Sequence, residues 1–207
     1  MTLVLIPFID VMTFQHVLYR GFTQLSYALD FIQSGRFRLG RLDVYQDIED
    51  ISRSDNSEGM GHFVSPDGAS MHFELGNPTY LFCCSVGDVD IAFLRRRMGP
   101  FIVRITQPNQ LTLLIDDFLK EKQIKTFGGI KGTQVQYNKG QIVRDELNAA
   151  NRAFLSLSQK HQCFAEEHEY RFYAIINIEC PIELLTRFLL IDLECRLPFV
   201  ELLPCEK

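Results

Sequence analysis

The sequence has neither a Gly-x-Gly-x-x-Gly fingerprint nor a Gly-x-x-x-x-Gly-Lys-Ser/Thr loop. Both devices cradle phosphates on backbone amides at a helix N-terminus, so neither phosphate-binding loop is supported. No Gly-x-Ser-x-Gly elbow is present, which removes the usual frame of a serine hydrolase. The six cysteines (Cys83, Cys84, Cys163, Cys180, Cys195 and Cys205) form no Cys-x-x-Cys pair and have no histidine at zinc spacing, so no structural metal is expected. Tryptophan is absent and phenylalanine numbers 17, and no function follows from either count. Surplus positive charge is missing too: the formal charge is −5 and the pI near 5.5. That balance argues against general coating of nucleic acid, though not against a local basic groove. The apolar opening MTLVLIPFIDVM lacks a basic leader and a small-residue cleavage site and is too short to span a bilayer. It is expected to be a buried strand or terminal segment. Reduced thiols without an export signal point to the cytoplasm, with no membrane partner.

What the sequence does contain suits one α+β domain over residues 1–207. A chain of 207 residues buries about 70% of its unfolded surface. HVLYRG (16–21) reads as a short strand. Thr23 then caps a helix with Leu25, Ala28, Leu29 and Ile32 on one face, ended by Gly35. RFRLG (36–40) alternates as a half-buried strand does, and TYLFCCS (79–85) is apolar throughout, as a central strand is. Between them, residues 41–78 are rich in Asp, Ser, Gly and Asn and predict a loop excursion. Helices are expected over 90–98, from Pro108 or Asn109, and over 141–159. Strands are expected over 100–105, 133–138, up to about 178, 187–192 and 197–203, with FGGIKG (127–132) as a flexible loop. The absence of a regular βαβ rhythm favours a mixed, mostly antiparallel sheet flanked by helices.

The densest chemistry lies in AEEHEYRF (165–172). Strand alternation puts Glu167, Glu169 and Arg171 on one face and Glu166, His168, Tyr170 and Phe172 on the other. Two carboxylates two residues apart repel, and an arginine offsets this, so one of the pair can have a raised pKa. The alternative is a solvated ladder of Glu and Arg in which each pair contributes little. Tyr19-Arg20-Gly21 ends the first strand, and its guanidinium fork suits a phosphate or carboxylate; the alternative is an arginine paired with a carboxylate such as Glu169. Asp43, Asp47, Glu49 and Asp50 lack the alternating spacing of a calcium loop. Arg95, Arg96 and Arg97 read as a solvated helix face, and Cys83-Cys84 as buried thiols in a core strand.

The order of LYRG (18–21), FIQSGRFRL (31–39), VYQDIED (44–50), FCCS (82–85), VQYN (135–138) and Lys160…Phe164…Glu166–Phe172 resembles a bacterial domain-of-unknown-function family, numbered twenty-nine seventy-one. The chain departs from it in lacking Asn-Asp-Pro in YQDIED, in Phe164 for the usual tryptophan, and in the missing Met-Trp-x-His-Tyr stretch. The family's layout is similar to that of ADP-ribosyltransferases. The resemblance implies an ADP-ribosyltransferase-like split sheet and NAD as substrate. It implies that Arg20 holds the phosphates, that Tyr19 or Tyr45 stacks on a ring, and that Glu169 stabilises the ribosyl cation. Glu167 then orients or deprotonates the acceptor, and Arg171 keeps the pair ionised. Three functions follow as expectations. The first is such a transferase or NAD hydrolase, acting on a protein or nucleic-acid acceptor as a toxin or phage-defence effector. The second is a non-catalytic module that meets a partner chain in a defence or toxin system. The third is a metal-dependent nuclease built on Asp43, Asp47 and Glu169.

Overall fold

The computed structural model describes residues 16–46, 59–64, 68–75, 78–137, 149–177, 179 and 186–204. The expected opening strand, Asp47, Glu49 and Asp50, the start of the helix expected from residue 141 and the turn expected at Pro181 lie outside them.

Chain order runs β1 (Leu18–Phe22), α1 (Leu25–Ser34), β2 (Arg36–Arg41), α2 (Leu42–Gln46), β3 (Met60–Val64), β4 (Ser70–Glu74) and β5 (Thr79–Val86). Then follow α3 (Ile91–Met98), β6 (Phe101–Ile105), α4 (Pro108–Glu121), β7 (Thr126–Gln134), α5 (Ala149–Ser158), a 3-10 helix (Gln162–Glu167), β8 (Glu169–Ile176), β9 (Phe188–Asp192) and β10 (Val200–Leu202). The result is mixed α and β, with an open and mostly antiparallel sheet, as expected.

The apolar run TYLFCCS becomes the central strand. Along one edge, β5 pairs with β8 at seven successive positions, from Thr79↔Ile175 to Ser85↔Glu169. The other edge is shared by two strands: β2 at Leu81 and Tyr80, and β1 at Ser85 and Val86. Past that division, β1 continues to β6 and β10, and β2 to β9. Phe82, Cys83 and Cys84 therefore have no strand partner on that edge, and the sheet forks beside them.

The main core lies on one face of the sheet, where α1 and α4 bring Ala28, Phe31, Leu111, Ile115 and Leu119 against Leu18, Leu39, Phe82, Val103 and Phe172. Phe82 and Phe172 each sit fully inside, and burial of such a ring stabilises the fold by about 1.5–3 kcal/mol per side chain. A smaller cluster of Leu42, Leu81, Leu157 and Tyr173 covers the opposite face.

Several expectations are corrected. Helix α1 begins after Gln24, whose side chain makes no cap, and its buried face runs through Ala28 and Phe31 while Leu25 is exposed. The tertiary contacts of Phe31 with Phe37 and Phe82 outweigh the simple periodicity. Within the expected loop of 41–78 there are a short helix, α2, and a hairpin, β3–β4, in register from Met60↔Glu74 to Val64↔Ser70. FGGIKG is strand rather than flexible loop: β7 runs through it, with Gly128 and Gly129 at φ 83° and 75° absorbing a register shift between Thr126 and Ile130. Only glycine adopts that backbone cheaply, so a bulge was read as a loop.

Gly21 of the Tyr-Arg-Gly motif is explained by packing. A Cβ there would lie 2.4 Å from Met98 Cβ and 2.9 Å from the Met98 carbonyl, where the end of α3 lies on β1. Gly21→Ala is expected to lower the urea midpoint, at a cost of about 1–3 kcal/mol, the scale of an overpacked core site.

Candidate functional site

Directly paired residues of antiparallel strands present their side chains on one face. Glu169, Arg171 and Tyr173 of β8 therefore lie with Ser85, Cys83 and Leu81 of β5, and Tyr19, paired with Ser85, extends the row. The expected alternation holds from residue 169 onward, with Tyr170, Phe172, Ala174 and Ile176 in the main core. It fails before that point. Glu167 closes the 3-10 helix and His168 takes a left-handed backbone (φ 45°), which leaves Glu166 and His168 exposed instead of core-facing.

Glu167 rejoins Glu169 by another route. Lys160 Nζ donates to Glu167 Oε2 at 2.7 Å and to Glu169 Oε2 at 2.9 Å. Arg171 grips Glu169 with two donors, Nε to Oε1 at 2.7 Å and Nη2 to Oε2 at 3.3 Å, and gives Nη1 to the Leu157 carbonyl at 2.9 Å. Arg97 Nη2 donates to Glu167 Oε1 at 3.1 Å. Five charges thus form one chain: Arg97, Glu167, Lys160, Glu169 and Arg171. Glu169 is 4% exposed, Lys160 5% and Arg171 not at all, so the solvated-ladder reading of this motif is corrected to a buried network. Burial alone would raise the Glu169 carboxyl, but the adjacent Arg171 guanidinium and Lys160 ammonium outweigh it and hold that carboxyl well below the usual range.

The surrounding backbone is built to place these groups. Glu169 N–H donates to Tyr137 Oη at 2.7 Å, and Val135 N–H donates to the Glu169 carbonyl at 2.9 Å. Lys160 N–H donates to the Gln136 carbonyl, which holds the start of the 3-10 segment beside β8. The Lys160 ammonium also lies 4.6 Å from the centre of the Phe164 ring, a cation–π contact.

Arg20 lies on the opposite face of β1 from Tyr19, with Leu18 and Phe22. Its guanidinium carbon lies 5.1 Å from the centre of the Phe82 ring, and Nη1 donates to the Cys83 carbonyl at 2.8 Å in the fork of the sheet. The pairing of Arg20 with Glu169 is therefore corrected: Lys160 and Arg171 hold that carboxylate, and Arg20 satisfies a backbone group left over by the split. Arg20 Nε is buried without a hydrogen-bond partner among the described residues. Tyr45 reaches the same fork from α2, with Oη donating to the Leu81 carbonyl at 3.2 Å and its ring packed where a Cβ on Gly40 would fall. Burial pushes the Tyr45 phenol well up, Arg20 opposes that shift and Glu169 adds to it. The Cys84 thiol, pushed up by burial to about 12, feels the same two charges. Arg20 and Glu169 thus lie on opposite faces of the sheet, either side of β5.

Two cavities among the described residues have volumes of about 250 and 220 Å³. The first is lined by Phe93, Arg97, Cys163, Phe164, Glu166 and Glu167, and takes in Glu167 alone of the residues expected to form the site. The arginine triplet is corrected as well. Arg97 ends in the network and Arg95 donates to the Pro204 carbonyl, leaving Arg96 as the exposed member. Lys160, Tyr137 and Arg97 complete the site. Lys160 and Tyr137 stood within motifs, but no local spacing linked them to Glu169. Asp43 is bound by Arg41, and no group of three metal-ligating side chains occurs among the described residues; Asp47 lies outside them. No described helix is long and apolar enough to cross a membrane.

No family model, curated protein or solved structure matches the chain.

Two outcomes are expected of the network. Lys160→Met leaves two buried carboxylates short of a cation, and chemical denaturation should register a loss of about 3–5 kcal/mol. Glu169 binds fewer protons folded than unfolded, so its contribution is present above the unfolded carboxylate value of about 4 and is lost as pH falls toward the folded value. Stability measured from neutral pH downward should therefore fall less steeply with acid in Glu169→Gln than in the parent chain.

Proposed function

We propose that the chain is an ADP-ribosyltransferase-like enzyme that uses NAD to modify a protein or nucleic-acid acceptor, or hydrolyses it. One observation carries this reading. The early Tyr-Arg-Gly strand and the late Glu-x-Arg strand flank the same central strand, with Tyr19 and Glu169 on one face of the sheet and Arg20, on the other face, reaching the Cys83 carbonyl in the fork.

Breaking the nicotinamide–ribose bond develops an oxocarbenium-like cation, as glycoside hydrolysis does. A permanently ionised carboxylate that accepts from a ribose hydroxyl stabilises that cation as it forms. Glu169 is held ionised for this by Arg171 and Lys160, and in this reading the ribose hydroxyl takes the place of Lys160 on Oε2. Arg20, whose Nε has no hydrogen-bond partner among the described residues, supplies the fork for a phosphate. Tyr19, half-buried at the rim of the row, offers a ring to stack on. Glu167, at the open cavity, orients the acceptor or takes its proton. A toxin or phage-defence effector is the setting that fits such a transferase.

A second reading is favoured by a different observation. Both oxygens of Glu169 are already occupied in a nearly closed site, which suits a non-catalytic interaction module whose charged strand is a structural network, docking on a partner chain of a defence or toxin system.

Incubation of the purified protein with NAD, alone and with candidate acceptors, separates the two. The transferase reading expects release of nicotinamide, and a loss of about 10²–10³-fold, or 3–4 kcal/mol, in Glu169→Gln that is still folded by circular dichroism. Arg20→Lys, outside the buried network, should raise KM for NAD. NAD left intact after long incubation, with Arg171→Lys lowering only the melting temperature, would leave the interaction module standing.

A further inference from the structure

Among the groups that line the cavity beside Glu167 and that the network does not use is Cys163. Cys163 Sγ lies 3.2 Å from His161 Nδ1, and both residues are exposed. The same Nδ1 accepts the Cys163 backbone N–H at 3.3 Å as the cap of the 3-10 helix. An amide that already donates to Nδ1 requires a lone pair there, so the thiol is the donor in the S–H···N contact. A thiol and an adjacent imidazole acceptor are the two parts of an activated sulfur nucleophile. The other described thiols lack this arrangement. Cys84 is buried and its thiol pushed up to about 12, Cys83 is half-buried in the core strand, and Cys195 is exposed without a described contact to a histidine. Cys163 also opens onto space: with Phe93, Arg97 and Phe164 it lines the recess of about 250 Å³, room for a small adduct against two aromatic rings and a guanidinium.

We infer that Cys163 is a nucleophilic thiol, with His161 as its base, that forms mixed disulfides with low-molecular-weight disulfides entering the recess beside Arg97. In the exchange, His161 takes the thiol proton and the Cys163 sulfur attacks one sulfur of the incoming disulfide. The incoming S–S bond breaks as the new one forms, and the departing thiolate leaves with the proton from His161. Cys163 is oxidised and one half of the small disulfide is reduced, so no further reactant is needed. The adduct occupies the recess and lies against the Arg97–Glu167 pair, which gives the network a redox-sensitive neighbour.

The test treats the full chain at neutral pH with a chromogenic aromatic disulfide, following each cysteine by peptide mass spectrometry. Cys163 should be modified about ten-fold faster than Cys195 on the same molecule, the advantage expected of an activated thiol. His161→Asn keeps an acceptor for the Cys163 amide but cannot take the thiol proton, and should bring the two rates together. Equal rates at Cys163 and Cys195 in the parent chain overturn the inference. So does a folded His161→Asn chain that retains the full rate at Cys163.

Discussion

Everything at the charged end of the sheet depends on the ammonium of Lys160. It sits between two carboxylates that would otherwise repel in a low-dielectric interior, and it donates to both. Through it the 3-10 helix is tied to the first residue of β8. Arg171 ties the same carboxylate to the end of α5, and Arg97 ties Glu167 to α3. Three helices and strand β8 thus share one electrostatic knot. Taking such charges from water is expensive, and a network of this kind is weak evidence for net stability. Its physical meaning is positional: removing one member strands the others, so the geometry is all or none.

The fork of the sheet has a different economy. Strand β5 satisfies one edge along its length with β8, and only the two ends of its other edge are paired. The carbonyl of Cys83 would be an orphan there, and a buried backbone acceptor without a partner is costly. Arg20 supplies the donor from β1, while Tyr45, coming from α2, plugs the other side. Two residues chosen from the sequence for their chemistry thus also have a structural duty, which is why substitution at either needs a folding control.

Much of the architecture was legible because β5, β2, β6 and α4 carry unbroken apolar patterns whose partners lie in one core. The candidate site was legible in part. Glu169 and Arg171 share a face because period-two alternation holds inside a strand, and it fails at Glu167 because His168 turns the chain left-handed just before β8. Lys160 is nine residues from Glu169 and Arg97 seventy residues from Glu167, and no local spacing encodes such contacts. The arginine triplet read as a solvated face because two of its partners, Glu167 and the Pro204 carbonyl, become neighbours only when α3 packs. The glycine pair in β7 read as a loop because a bulge and a turn draw on the same residue.

The buried chain of charges has one more consequence. It holds three cations and two carboxylates, and the buried four balance, so the one positive charge in excess belongs to the partly exposed Arg97 on the rim of the recess. An anion that nears that rim is attracted by it. Such a field ranks approach routes before any contact is made, and dissolved salt weakens the ranking without altering a single bond.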